Sequence, residues 1–141
     1  MKKILVVLLA ACLAGILSAC KSPAGEALSG EDREQVLAFS EPETDNLMAG
    51  LNSGDYAVFS KDFDKTMQMS MTEANFHSFR GDRNTKLGKY ISRTVQEVYK
   101  TNRDFYTVVY NTNFEKAGDV TMRVVFRVKE PHQVSGLWFN Q

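Results

Sequence analysis

Few side chains in this sequence can do chemistry, and their spacing limits what they can do. The two cysteines, Cys12 and Cys20, lie in or at the end of one apolar run, and the chain from Lys21 onward has none. That excludes a disulfide framework, a thiolate metal site and a cysteine nucleophile from the body. For acid–base work inside a cavity the candidates are Asp55, Asp62, Asp64 and His77. Asp55 reads better as a helix cap. Asp62 and Asp64 flank Phe63, so they face water if Phe63 faces the core. His77 has no neighbouring His or Cys and reads as a surface residue. His132, in a turn after Pro131, is expected to be exposed. No catalytic residue is therefore assigned. Two isolated histidines without clustered acids make a poor ligand set, so no metal is expected. No glycine-rich phosphate loop appears, and no cofactor is expected.

A second group is aromatic. Tyr56, Phe59, Phe63, Phe76, Tyr90 and Trp138, with Phe79, either form the core or line a pocket in which tyrosine hydroxyls orient a small apolar ligand. Met67 and Met71 fit the core, with Met69 outside. Arg123 and Arg127 alternate with apolar residues and form either a solvated sheet face or a homodimer surface.

The charge balance narrows the partners. The 141 residues are 43% hydrophobic and 24% charged, with a formal net charge of zero. Removal of residues 1–19 would leave 15 basic and 17 acidic residues. Nucleic acid, which calls for a concentrated basic surface, is not an expected partner.

Cys20 has the most specific context. Met1-Lys2-Lys3 precedes a 16-residue apolar stretch, Ile4–Ala19, which is short for a membrane span and has the form of a secretory signal peptide. Its end, Leu17-Ser18-Ala19-Cys20, resembles the lipobox of bacterial lipoproteins. The resemblance implies cleavage before Cys20, lipid (palmitate among its acyl chains) on that cysteine, and anchoring on the extracytoplasmic side of the cell membrane. Lys21, where an aspartate would favour inner-membrane retention, points to the outer membrane in a Gram-negative cell. The expected organisation is a signal peptide at 1–19, lipidated Cys20 with a short tether at 20–29, and one domain at 30–141.

The elements that must position these groups follow from periodicity. Ser29 to Asp32 opens a helix, and Ser40-Glu41-Pro42-Glu43 has the form of a second helix start, with Ser40 as cap. Gly54 stops that helix and Asp55 caps the next. Tyr56, Phe59, Phe63, Met67 and Met71 recur at helical spacing, with a kink expected near Ser60. Thr72 starts a further helix, ending at Gly81 or near Leu87. From Lys89 the period changes to two, and four strands are expected, broken near Thr101, Gly118 and Pro131. The expected fold is α+β: N-terminal helices on one face of a curved four-stranded antiparallel meander.

That order resembles the nuclear transport factor 2-like superfamily, a cone-shaped α+β fold. Within it, "LNSGDYAVFSKDFD" (51–64), "GKY" (88–90), "DVTMRVVF" (119–126) and "SGLWF" (135–139) are similar to a domain-of-unknown-function family of secreted proteins. The resemblance implies a cone with a ligand cavity and carries over no catalytic residues. Three functions stand open: a lipid-anchored binding or protein-interaction domain without enzymatic activity, a small-molecule isomerase or hydrolase using a cavity carboxylate or histidine, and a structural dimer-forming envelope subunit.

Overall fold

The computed structural model describes residues 25–140. The expected signal peptide and lipobox, with Cys20, lie outside the described residues. The first ordered element is a strand the sequence does not announce, β1 (Glu26–Ala27), followed by helix α1 (Gly30–Ser53). Three shorter helices follow: α2 (Tyr56–Phe59), α3 (Lys65–Ser70) and α4 (Glu73–Lys86). Four strands complete the chain: β2 (Tyr90–Lys100), β3 (Phe105–Phe114), β4 (Gly118–Arg127) and β5 (Val134–Asn140).

Helix α1 runs unbroken through the place where a second start was expected. Ser40 is no cap; it is fully buried, and Pro42 sits inside the helix. Proline there removes the hydrogen bond to the Ala38 carbonyl. Ala38 and Pro42 are both exposed, so water can serve that carbonyl. On the opposite side Ser40, Thr44, Leu47 and Leu51 form an uninterrupted buried stripe. Packing along that stripe outweighs the local break. The helix ends as expected on Gly54 at φ 81°, and Asp55 caps α2 by accepting the Val58 N–H.

The apolar run 56–71 is two helices, not one kinked helix. Between them residues 62–64 extend alongside the start of β5: Val134 N–H donates to the Asp62 carbonyl and Asp64 N–H to the Val134 carbonyl, both at 2.8 Å. Asp64 then caps α3. Helix α4 is capped by Thr72 and passes Gly81 to end at Lys86.

The sheet is an antiparallel meander in the order β1-β2-β3-β4-β5, and it is not closed. It therefore has five strands where four were expected. Pairing of Glu26 with Lys100 and Ala27 with Tyr99 docks part of the segment expected as a tether. Two residues carry no readable period, which is why β1 was missed. Bulges at Tyr90/Ser92 and Val95/Glu97 interrupt the β2 register and bend the strand. The alternation of β4 is as expected: Val120, Met122, Val124 and Phe126 are buried against the helices, while Thr121 and Arg123 face out. The core joins Met122, Val124 and Phe126 to Leu47, Met48, Phe59, Phe63 and Phe76 from the helices, while Val120 packs with Leu87 and Phe114 in a smaller cluster.

A candidate ligand cleft at the β1 end of the sheet

The last row of the sheet aligns Glu26, Lys100, Tyr106 and Phe126 across four strands. Directly opposed residues of antiparallel strands share a face, and here that face is the helix side. Above it lie the first turns of α1. Asp32, Gln35, Val36 and Phe39, at spacings i, i+3, i+4 and i+7, occupy one helix face. Between this face and the row is a cleft of about 270 Å³, completed by Leu28 and by His132 from the β4–β5 turn. Its walls are helix and strand. A larger hollow of about 480 Å³ lies beside it between two turns, lined by Arg103, Arg127 and Lys129. Arg127 is already committed to Asp64, and the other residues lining the hollow belong to turns, so the cleft is the better candidate.

His132 is the most constrained member of the cleft. It is half-buried rather than exposed, which corrects the expectation. Its backbone is left-handed at φ 62°. Its ring stacks on Phe39, centroid to centroid 4.1 Å at 15°. Phe39 also meets Phe126 edge-on at 5.8 Å. His132 Nδ1 lies 3.1 Å from the Arg127 carbonyl oxygen. A carbonyl only accepts, so Nδ1 donates in this contact. Around the rim Glu26, Asp32 and Lys100 are exposed and make no ion pairs among the described residues.

The residues expected to line a pocket lie elsewhere. Phe59, Phe63 and Phe76 are buried and pack on one another, Phe59 against Phe63 at 5.2 Å and against Phe76 at 4.6 Å. Half-buried Tyr56 donates its hydroxyl to the Met71 carbonyl at 2.8 Å. Tyr90 packs edge-on against Phe114 and accepts from Arg93. Trp138 is 53% exposed on the opposite sheet face, its ring lying over Gly136. None of the six lines the cleft.

The acidic and histidine candidates separate clearly. Asp55 is a cap, and His77 is exposed on α4, 3.9 Å from Glu73. Asp62 accepts from Asn46 Nδ2 at 2.6 Å. Asp64 is buried, not facing water: it is 4% exposed. It accepts from Ser135 Oγ at 2.6 Å, Met67 N–H at 2.7 Å and Arg127 Nε at 2.7 Å. Burial alone would raise its pKa; these three donors outweigh it and hold the carboxyl below the usual range. Arg127 is therefore not simply solvated, whereas Arg123 is exposed as expected. Asp64 works as a latch joining α3 to β4 and β5.

A second polar knot joins α1 to β2. Arg93 reaches Asp45 at 2.7 Å and Glu41 at 3.1 Å, with its guanidinium 5.3 Å over the Tyr110 ring. Tyr110 in turn bonds Thr44 at 3.2 Å. Nearby, burial pushes Glu43 up to about 8, with the Asp62 charge adding to the effect. Among the described residues no group of three His, Cys, Asp or Glu side chains converges as a metal site.

A family model described as "Protein of unknown function (DUF3887)" matches residues 44–137. The chain belongs to the DUF3887 family. No curated protein and no solved structure matches it. The DUF3887 segment contains the Asp64 latch and, except for Glu41, the Arg93 knot. It contains only part of the cleft. Lys100, Tyr106 and His132 fall inside the match, whereas Glu26, Leu28, Asp32, Gln35, Val36 and Phe39 precede it.

Sequence reasoning missed the cleft for identifiable reasons. The helix-face spacing of Asp32, Gln35, Val36 and Phe39 is legible. The strand facing it is two residues long, and the stacking of His132 on Phe39 is a tertiary contact across 93 positions of the chain.

Proposed function

We propose that this DUF3887 protein is a lipoprotein, held by lipid on Cys20 at the extracytoplasmic side of the cell membrane, whose body binds a small ligand without transforming it. In a Gram-negative cell the membrane is the outer one, on the argument from Lys21. An open curved sheet with helices on one face supports a finer classification as a nuclear transport factor 2-like cone. The observation that carries the binding reading is the cleft of about 270 Å³, with Val36, Phe39 and Tyr106 in its floor and, at its rim, charges outside any ion pair among the described residues. Its carboxylates, Glu26 and Asp32, are exposed and lack the burial that tunes a carboxylate for acid–base work.

The test compares the small molecules extracted from the purified full chain with those from Gln35→Trp. Gln35 is an exposed wall residue, so the variant fills the cleft from the rim and leaves the core intact. A compound retained by the wild type and lost from the variant is expected. Identical contents overturn the binding reading. Palmitate labelling of the wild type and of Cys20→Ser tests the anchor separately.

One observation favours a second reading, an isomerase or hydrolase: the His132 ring, held by its Nδ1 contact with the Arg127 carbonyl and by stacking on Phe39, lines the cleft. Conversion of the extracted compound by the wild type, and not by His132→Gln, would select it.

A further inference from the structure

We infer that the cleft takes a small zwitterion, an ammonium and an anionic group joined by a short backbone that carries an apolar extension. The inference deepens the binding reading of the cleft and rests on it. Glu26 and Lys100 are directly opposed across β1 and β2, yet make no ion pair with each other. Asp32 stands on the helix wall of the same cleft, also without an ion pair among the described residues. Among the described residues, the rim thus offers two carboxylates and one ammonium outside any ion pair, around a floor that includes Val36, Phe39 and Tyr106.

A purely anionic ligand meets Glu26 and Asp32 as like charges. A purely cationic one meets Lys100. A zwitterion satisfies both signs at once, with its ammonium toward the carboxylates and its anionic group toward Lys100. Each exposed pair contributes only about 0.2–1 kcal/mol, and contact of the apolar extension with the floor adds a contribution of similar size, so the charges select the ligand. The volume corresponds to roughly nine waters at about 30 Å³ each, which suits a single amino acid or a lipid headgroup.

Both sources share this chemistry. A free apolar amino acid is one. The ethanolamine phosphate of a membrane lipid is the other, brought near by the tether, because six residues from Cys20 to Glu26 span at most about 20 Å.

The experiment is calorimetric titration of the full acylated chain in detergent, with chemical-shift mapping of Lys100, Tyr106 and His132. The ligands are L-phenylalanine, phenethylamine, N-acetyl-L-phenylalanine, neutral phenylacetamide and glycerophosphoethanolamine. At least tenfold tighter binding of L-phenylalanine than of its three blocked analogues is expected, or the same margin for glycerophosphoethanolamine; whichever wins identifies the source. Lys100→Met and Asp32→Asn, both exposed and outside the core, should each erase that margin. Phenylacetamide binding as tightly as the zwitterions overturns the ligand class and leaves the binding reading standing. No shift at the three mapped residues with any compound overturns both.

Discussion

At the scale of single residues, the chain carries two carboxyl groups shifted in opposite directions, and each leaves a distinct mark on stability. Asp64 is held below its ordinary value of 3.8. The stability it contributes is fully present above that value and is lost as pH falls through the lower folded-state pKa. Glu43 is raised from 4.5 to about 8. Between those values the folded chain keeps a proton that the unfolded chain has released, so stability falls as pH rises across that window and levels off above it. The melting temperature should therefore decline on both sides of a mildly acidic maximum. Glu43→Gln should flatten the decline between pH 4.5 and about 8 and raise the melting temperature at pH 8. Asp64→Asn should remove the acid-side dependence and cost about 2 kcal/mol at neutral pH, because Asn keeps an acceptor for Met67 but loses the charge that faces Arg127. Thermal scans from pH 3 to 9 check both. A Glu43→Gln profile parallel to that of the wild type would contradict the assignment.

At the scale of elements, the corner between α1 and α2 depends on a close approach. A Cβ on Gly50 would lie 2.4 Å from the Phe59 backbone nitrogen and 2.5 Å from its Cα, neither of which can yield without moving α2. Gly81, inside α4, meets nothing within 4 Å. The same substitution should therefore act with opposite signs. Gly50→Ala should destabilise by about 3 kcal/mol, and Gly81→Ala should stabilise by about 0.5–1 kcal/mol. Urea denaturation of both variants checks the pair, and a stabilised Gly50→Ala would sink the close-packing argument. Much of this corner is legible in "LNSGDYAVFSKDFD". Gly54 and Asp55 have the cap roles that their types predict, and Asn52 holds the Tyr90 backbone from both sides at 2.9 Å. The rest is not local. Pro42 signals a break that the buried stripe overrides, and the helical spacing of residues 56–71 hides a segment drawn out by β5. The quoted motifs include the latch itself, since Ser135 of "SGLWF" donates to Asp64.

At the scale of the whole molecule, β1 gives the body a defined end. The chain enters at Gly25 beside Thr101, so the β2–β3 turn, the β4–β5 turn and the cleft all lie where the tether arrives. The β3–β4 turn lies at the far end of β3, ten residues away, or roughly 30 Å at about 3.3 Å per residue. The sheet order and its α+β class were readable from the change of period at Lys89; this polarity was not, because it depends on two residues pairing with the end of β2. It has a consequence for a chain acylated at Cys20. A tether of at most about 20 Å holds the cleft end toward the bilayer and the β3–β4 turn away from it. Both Cys12 and the thiol of Cys20 are then out of play, so a fluorophore on Arg103→Cys or Lys116→Cys labels one site. In vesicles carrying acceptor lipids, the label at 103 should be quenched at least twofold more strongly than the label at 116. Equal quenching at the two sites would show that docking of β1 does not orient the body. Stronger quenching at 116 would place the cleft on the side facing away from the membrane and remove the lipid headgroup as a source of its ligand.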